Sequence, residues 1–329
     1  MYQGFYGLRE LPFEITPNPK YLFLPPQHRE ALSNLEYGLS SSKAITVLIG
    51  EAGTGKTTLL HAALGSDRCR NVSCVYINNP TLTRPEFVEM LARRFALSPR
   101  AAHSKATLLA ELEAALVERR SHGQIVALVV DEAQSMSNEL LEEMRLLANC
   151  ETETDKLLPL VLAGQPELRD RLNEAGLRQL KQRVTLRCEI RPFTIEETAM
   201  YIATRLRTAG GDAAKIFTRE AVILIHQRSG GIPRTISVLC DNALVTGFGL
   251  GRQPVDREIV AEVARDFDLG ASPAAEPAEP AIDSSDDLAR DADARDIQSD
   301  PVASAPTTDD EQQIDADPPR RLFSVFRGR

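Results

Sequence analysis

The stretch Gly50-Glu51-Ala52-Gly53-Thr54-Gly55-Lys56-Thr57 decides how this chain is read. It fits the pattern G-x-x-x-x-G-K-[ST]. Glycines at these places let successive backbone N–H groups turn inward around an anion. A helix beginning at the end of the loop adds the positive end of its dipole. Lys56 is placed to reach the β- and γ-phosphates of a nucleotide, and the Thr57 hydroxyl to ligate Mg2+. Gly50, Glu51, Ala52, Gly53, Thr54, Gly55, Lys56, Thr57 and Thr58 are therefore the candidate phosphate-binding residues, with ATP and Mg2+ as the implied cofactors. The context sharpens the match: Ile45–Ile49 reads as a strand immediately before the loop, and Thr58–Leu64 as a helix immediately after. The bland alternative is a glycine turn with an exposed lysine.

Working outward, Ile125-Val-Ala-Leu-Val-Val130 is a short apolar run that ends in Asp131-Glu132. Two carboxylates at the C-terminal end of a buried strand are aimed at the crevice where open α/β sheets bind ligands. Asp131 is the candidate for the Mg2+ shell and Glu132 for polarising the attacking water. Alone, an Asp-Glu pair after a strand is a common turn. After a phosphate loop it acquires a partner.

The remaining strands are expected at Val72–Ile77, Leu158–Ala163 and Val184–Ile190, each rich in apolar or β-branched residues. Amphipathic stretches at 28–39, 87–95, 108–118 and 140–148 alternate with them, and Thr83-Arg-Pro-Glu86 has the capping-box pattern. Alternating β and α over this length predicts a parallel sheet with helices on both faces, a three-layer αβα core. From Arg191 the pattern turns helical: Thr194-Ile-Glu-Glu197 caps one helix that runs to Gly210-Gly211, and further helices follow near 219–228, 232–247 and 257–267. The expected organisation is a leader and helix packing on the core over 1–43, a nucleotide-binding αβα domain over 44–191, a small all-helical lid over 192–267, and a tail over 268–329.

Of 329 residues, 15 acidic and 2 basic ones fall in 268–319, while residues 1–267 carry 32 of each sign. The overall charge of −9 thus belongs to the tail. A balanced core gives no general electrostatic case for nucleic acid. Pro, Ala, Ser and Asp dominate 268–319, a composition that predicts disorder. The last ten residues add Leu322, Phe323, Val325 and Phe326 between arginines. They read as a docking peptide, as a contact with anionic lipid, or as an inert end. Five cysteines without a C-x-x-C pair argue for free thiols and a cytoplasmic setting over a disulfide framework or zinc site. The N-terminus lacks the pattern of a signal peptide, and no apolar run reaches the ~18 residues needed to span a bilayer.

These motifs, together with Phe5-Tyr-Gly-Leu8, Pro12-Phe13, Asn18-Pro19, His28, Asp131-Glu-Ala-Gln134, Leu162-Ala-Gly-Gln-Pro-Glu-Leu168 and Gly230-Gly-Ile-Pro-Arg234, resemble the ExeA/GspA-type AAA+ ATPases and their relatives in exosortase-linked polysaccharide loci. The resemblance covers about residues 1–267. It implies an α/β P-loop NTPase fold of the AAA+ kind and an Mg2+-dependent ATPase. The implied role is assembly or gating of a cell-envelope secretion or polysaccharide-export system. It also implies an oligomer, with secretion machinery as partner and a peripheral place at the inner membrane.

By this resemblance Gln165 matches the sensor 1 position, unless it simply caps the helix that follows. Arg234 matches sensor 2, reaching from the lid to the nucleotide. Asn78 is a candidate polar partner restraining Glu132. Arg183 is the candidate finger for a neighbouring subunit, with Arg178 and Arg187 as competitors. Membrane-bound members continue into a transmembrane helix and a peptidoglycan-binding region, and neither is expected here. The alternative is a DNA-linked ATPase of the transposition-helper or initiator-like kind.

Overall fold

The structure, a computed structural model, describes residues 1–269 apart from Pro17, Asn79 and Thr154. The acidic tail from residue 270 and the arginine-flanked end expected to dock lie outside the described residues.

Five strands form one parallel sheet: β1 Ile45–Gly50, β2 Val72–Ile77, β3 Ile125–Val130, β4 Leu160–Gly164 and β5 Val184–Ile190, in the spatial order β2-β3-β4-β1-β5. The near-continuous apolar strands follow from burial on both faces. In β1, Ile45, Val47 and Ile49 join one core while Leu48 joins the other. In β3, Val126, Leu128 and Val130 face the first and Ala127 and Val129 the second. The first face is covered by helices that include Arg84–Arg94, Lys105–Ser121 and Asn138–Leu147. The opposite face is covered by Pro26–Ser40 and Lys56–Leu64. Gly38 lets the first of these approach β1, since a Cβ there would lie 2.3 Å from Thr46 Oγ1.

The lid is built from the helices Ile195–Thr208, Arg219–Ser229, Pro233–Gly249 and Arg257–Asp266, with a one-turn helix at Ala213–Ile216. Its first helix has the full capping box: Thr194 Oγ1 accepts from the Glu197 N–H at 3.2 Å, and the Glu197 carboxylate accepts from the Thr194 N–H at 3.0 Å. Gly231 cannot carry a side chain, because a Cβ there would lie 2.2 Å from the Phe193 carbonyl oxygen and its φ is 74°. That close approach lets Phe193 N–H donate to Gly231 O at 2.8 Å, tying the lid's entry to the turn before the helix Pro233–Gly249.

The leader corrects one expectation. Residues 1–43 do not pack together on the sheet. Tyr2, Tyr6, Leu8 and Phe13 are buried in the lid's own core, and Phe13 meets Phe217 edge to face at 6.5 Å. Tyr6 Oη donates to Leu244 O at 3.1 Å, and Tyr2 Oη to Asp241. The helix Pro26–Ser40 instead packs on the sheet, through buried Leu35 and Leu39 and with Leu24 just before it. The segment between is a strap from lid to sheet. At the other end Leu269 also packs on the lid, its carbonyl accepting from Arg228 at 3.2 Å.

Candidate nucleotide-binding site

The loop 50–57 joins β1 to the helix Lys56–Leu64, with Gly53 at φ 80° and Gly55 at φ 104°. Side chains rarely adopt that left-handed region, and glycine does so without a Cβ penalty. Lys56, although buried, donates to Gly50 O at 2.8 Å and Glu51 O at 3.1 Å, so its ammonium is held inside the loop. Burial pushes its pKa below the ordinary lysine value, opposed by the charges of Glu132 and Asp131. Thr54 Oγ1 closes the loop by donating to Glu51 O at 2.7 Å.

The two motifs meet although 74 residues separate them: Thr57 Oγ1 donates to Asp131 Oδ2 at 2.6 Å. Tyr76, on edge strand β2, donates to the same oxygen at 2.8 Å, and the Glu132 N–H donates to Asp131 Oδ1 at 3.0 Å. Tyr76 stacks on His61, ring centroids 5.4 Å apart. Burial, then its bond to Asp131, pushes the Tyr76 phenol well above its ordinary value, so it stays a donor. Sequence reasoning gave Tyr76 no role, because it reads as an ordinary strand aromatic.

Glu132 sits at φ 54°, left-handed for a side-chain-bearing residue. Such strain gathers where function over-determines the backbone. Its Oε2 accepts from Gln134 Nε2 at 2.6 Å and Gln165 Nε2 at 3.3 Å, while Gln134 Oε1 takes the Gln165 N–H at 3.1 Å. Gln165 therefore makes no side-chain cap on the helix Pro166–Leu172 and instead reaches the glutamate. Asn78 is exposed and, among the described residues, is not a partner of Glu132. The amide beside the glutamate is Gln134, two residues along its own turn.

Arg234, at the start of the lid helix Pro233–Gly249, lines the same cavity. Its N–H donates to Gly53 O at 3.3 Å, so the lid touches the loop directly. A Cβ on Gly53 would lie 3.0 Å from both Arg234 Cβ and Ile232 Cγ2. Arg183 ends the helix Arg178–Arg183 before edge strand β5, away from this cavity, and Arg178 and Arg187 are exposed. The structure brings Gly50–Thr58, Asp131, Glu132, Gln165 and Arg234 to one place and leaves the three finger candidates at the sheet's edge.

The cavity, of about 350 Å3, continues from the loop between strap and lid, past His28, Tyr21, Phe193 and Tyr201. His28 Nε2 lies 3.0 Å from Thr54 O, and because a carbonyl only accepts, that nitrogen carries the proton. Its Nδ1 is buried with no partner, and burial pushes the imidazole pKa down. The residues present fit a magnesium nucleotide: a loop of inward-turning N–H groups, a buried lysine, and a hydroxyl–carboxylate pair of hard oxygens.

The site and sheet define a P-loop NTPase with a helical lid. Residues 39–172 match the family model described as AAA domain. Over 256 residues the chain is 40% identical to General secretion pathway protein A of Aeromonas hydrophila, covering 78% of this chain and 46% of that protein. A weaker likeness, 24% over 155 residues, joins it to an uncharacterised HTH-type transcriptional regulator of Methanocaldococcus jannaschii, covering 46% of this chain and 37% of that one. The chain thus spans under half the length of these two relatives.

Among solved structures it resembles Cdc6p from Pyrobaculum aerophilum, with a TM-score of 0.58 and 19% identity over 78% of this chain and 70% of that one. It likewise resembles the Aeropyrum pernix ORC2 protein, with a TM-score of 0.55 and 16% identity over 76% and 72%. These last two likenesses speak for the fold alone. The AAA-domain match and the likeness to General secretion pathway protein A agree with the resemblance that the motifs carried.

Proposed function

We propose that the protein is a Mg2+-dependent ATPase that couples nucleotide binding and hydrolysis to assembly or gating of a cell-envelope secretion or export system. One observation carries the chemistry: the 2.6 Å bond between Thr57 and Asp131, which joins the loop that holds phosphates to the strand end that presents Glu132. Lys56 and the loop N–H groups bind the phosphates, and Thr57 and Asp131 hold the metal, which when bound neutralises charge on the phosphate oxygens. Glu132 accepts a proton from the attacking water, with Gln165 beside it. Arg234 brings the lid onto the bound nucleotide.

The secretion role rests on the 40% likeness to General secretion pathway protein A, and the partner is by that reading a component of secretion machinery. No helix among the described residues is long and apolar enough to cross a membrane. The likeness to Cdc6p and the ORC2 protein does not raise a DNA-linked role, since it is a likeness of fold, and residues 1–267 are balanced in charge.

Hydrolysis in a shared site is the testable part. Arg183 stands at the edge of the sheet, where a neighbouring copy would be met, and a finger in trans raises turnover by ~10³-fold in well-studied phosphoryl-transfer systems. Activity per subunit is expected to rise with protein concentration, and Arg183→Ala to abolish that rise while sparing ATP binding. Mixing Arg183→Ala with Lys56→Ala protein should restore part of it. Flat specific activity, with Arg183→Ala matching wild type, would exclude the shared site and leave Arg183 an ordinary surface arginine.

A further inference from the structure

Arg205, on the lid helix Ile195–Thr208, is buried, and among the described residues it forms no ion pair. Its Nη1 donates to the Tyr201 hydroxyl and to Ser237 Oγ at 3.4 Å, and its Nη2 to the Glu14 carbonyl at 3.4 Å. The guanidinium carbon lies 5.0 Å from the Tyr21 ring centroid and 5.2 Å from that of Tyr201. Its Nε is buried with no partner. A buried charge without a counter-charge is costly, and cation–π contacts offset only part of that cost. A buried N–H left unmade is a further cost that a native site accepts where a ligand completes it.

What surrounds Arg205 says which ligand that is. Arg205, Tyr21, Tyr201 and Ser237 line the same cavity as the phosphate loop. The loop end is committed to phosphates, so the half of a nucleotide left to occupy the strap-and-lid end is its ribose and base. Arg205 also sits where the strap joins the lid: Glu14 and Tyr21 belong to the strap, Tyr201 and Ser237 to the lid. On one side of this joint the strap is anchored in the lid core by Tyr2, Tyr6 and Phe13. On the other it is anchored to the sheet by the helix Pro26–Ser40, with Gln27 donating to Glu189 O at 3.0 Å and accepting from Arg191 N–H at 3.2 Å.

We propose that Arg205 contacts the nucleoside half of the bound nucleotide, its free Nε–H donating to a ribose or base acceptor, and thereby fastens the strap to the lid when the site fills. The proposal rests on the ATP reading above. It makes the strap, which the sequence presents as a mere leader, a wall of the site that is ordered by the nucleoside and not by the phosphates.

The test compares two probes on the full chain by calorimetry: a non-hydrolysable ATP analogue and inorganic tripolyphosphate, both with Mg2+. Wild type is expected to bind the analogue more tightly than tripolyphosphate. Arg205→Gln should weaken the analogue about tenfold, as expected for a lost hydrogen bond to a charged group, and leave tripolyphosphate unchanged. Hydrogen exchange over residues 18–24 supplies a readout that a merely structural arginine would not move: the analogue protects the strap in wild type but not in the variant, and tripolyphosphate protects it in neither. Should Arg205→Gln fail to fold, Arg205→Lys keeps the charge between the rings but lacks the Nε–H, and the same selective loss is expected. Equal weakening of both probes, or of neither, overturns the role of Arg205. Wild type that binds neither probe defeats the ATP reading itself.

Discussion

The two ends of the cavity were made in different ways. The phosphate end comes from two contiguous stretches, Gly50–Thr58 and Val130–Glu132, placed at the ends of β1 and β3, which β4 separates in the parallel sheet. The strap-and-lid end is assembled from single residues far apart in the chain: Tyr21, His28, Phe193, Tyr201, Arg205 and Ser237. The first end can be read from spacing, because a loop that wraps phosphate needs glycines and a lysine at fixed intervals. The second cannot, because an arginine or tyrosine on a helix acquires meaning only from what the fold sets beside it. The difference also separates tasks. Lys56, Asp131 and Glu132 sit at the ends of strands or on the loop, whereas the cover over the loop is made by elements that have their own core and touch it through Gly53 and Arg234.

That division predicts where variants will bite. The largest effect is expected at the strand end: Glu132→Gln should lower steady-state turnover by about 10²-fold or more while ATP affinity is kept, since the amide cannot take the proton from water. Wild-type turnover in that variant would show that another group positions the water, and the phosphate end would lose its catalytic member.

A smaller, pH-dependent effect is expected at the junction of the two ends. Burial holds the His28 imidazole below its ordinary value of 6.5. A depressed folded pKa means that the unfolded chain takes up the proton first. The stability His28 contributes is therefore fully present above about pH 6.5 and lost as pH falls through the lower folded value. Melting temperature should fall between pH 7 and pH 5. His28→Gln, which keeps a donor toward the Thr54 carbonyl, should fall less steeply. His226, also held low by burial, leaves a residual slope. Parallel curves for wild type and His28→Gln would remove His28 as a source of the pH dependence.

The same contrast shows how far the sequence could be read. The strands were legible because burial on both faces makes each one a short apolar run. Four of the five begin at the expected residue, and β4 starts at Leu160, two residues after the expected Leu158. Helices with caps were legible at Thr83 and Thr194. The short helices Gln3–Tyr6, Pro166–Leu172 and Arg178–Arg183 were not, because fewer than about two turns give no usable periodicity. Asn78 was the natural candidate to hold Glu132 because it follows β2. The turn after β3 instead folds back on itself and brings Gln134 to the carboxylate. Tyr76 was invisible for a similar reason: strand alternation says which face a side chain takes, not which hydroxyl meets Asp131. The strap looks like a mere leader in the sequence because its aromatics mark contact without saying with what.

The claim on which all of this depends is that Lys56 and its loop bind the phosphates of ATP, and isothermal titration of ATP with Mg2+ into wild type and Lys56→Ala tests it most directly. Removing the ammonium leaves anionic oxygens uncompensated, so the variant should bind roughly a hundredfold more weakly while its melting curve shows an intact fold. Equal dissociation constants for the two proteins would contradict the account.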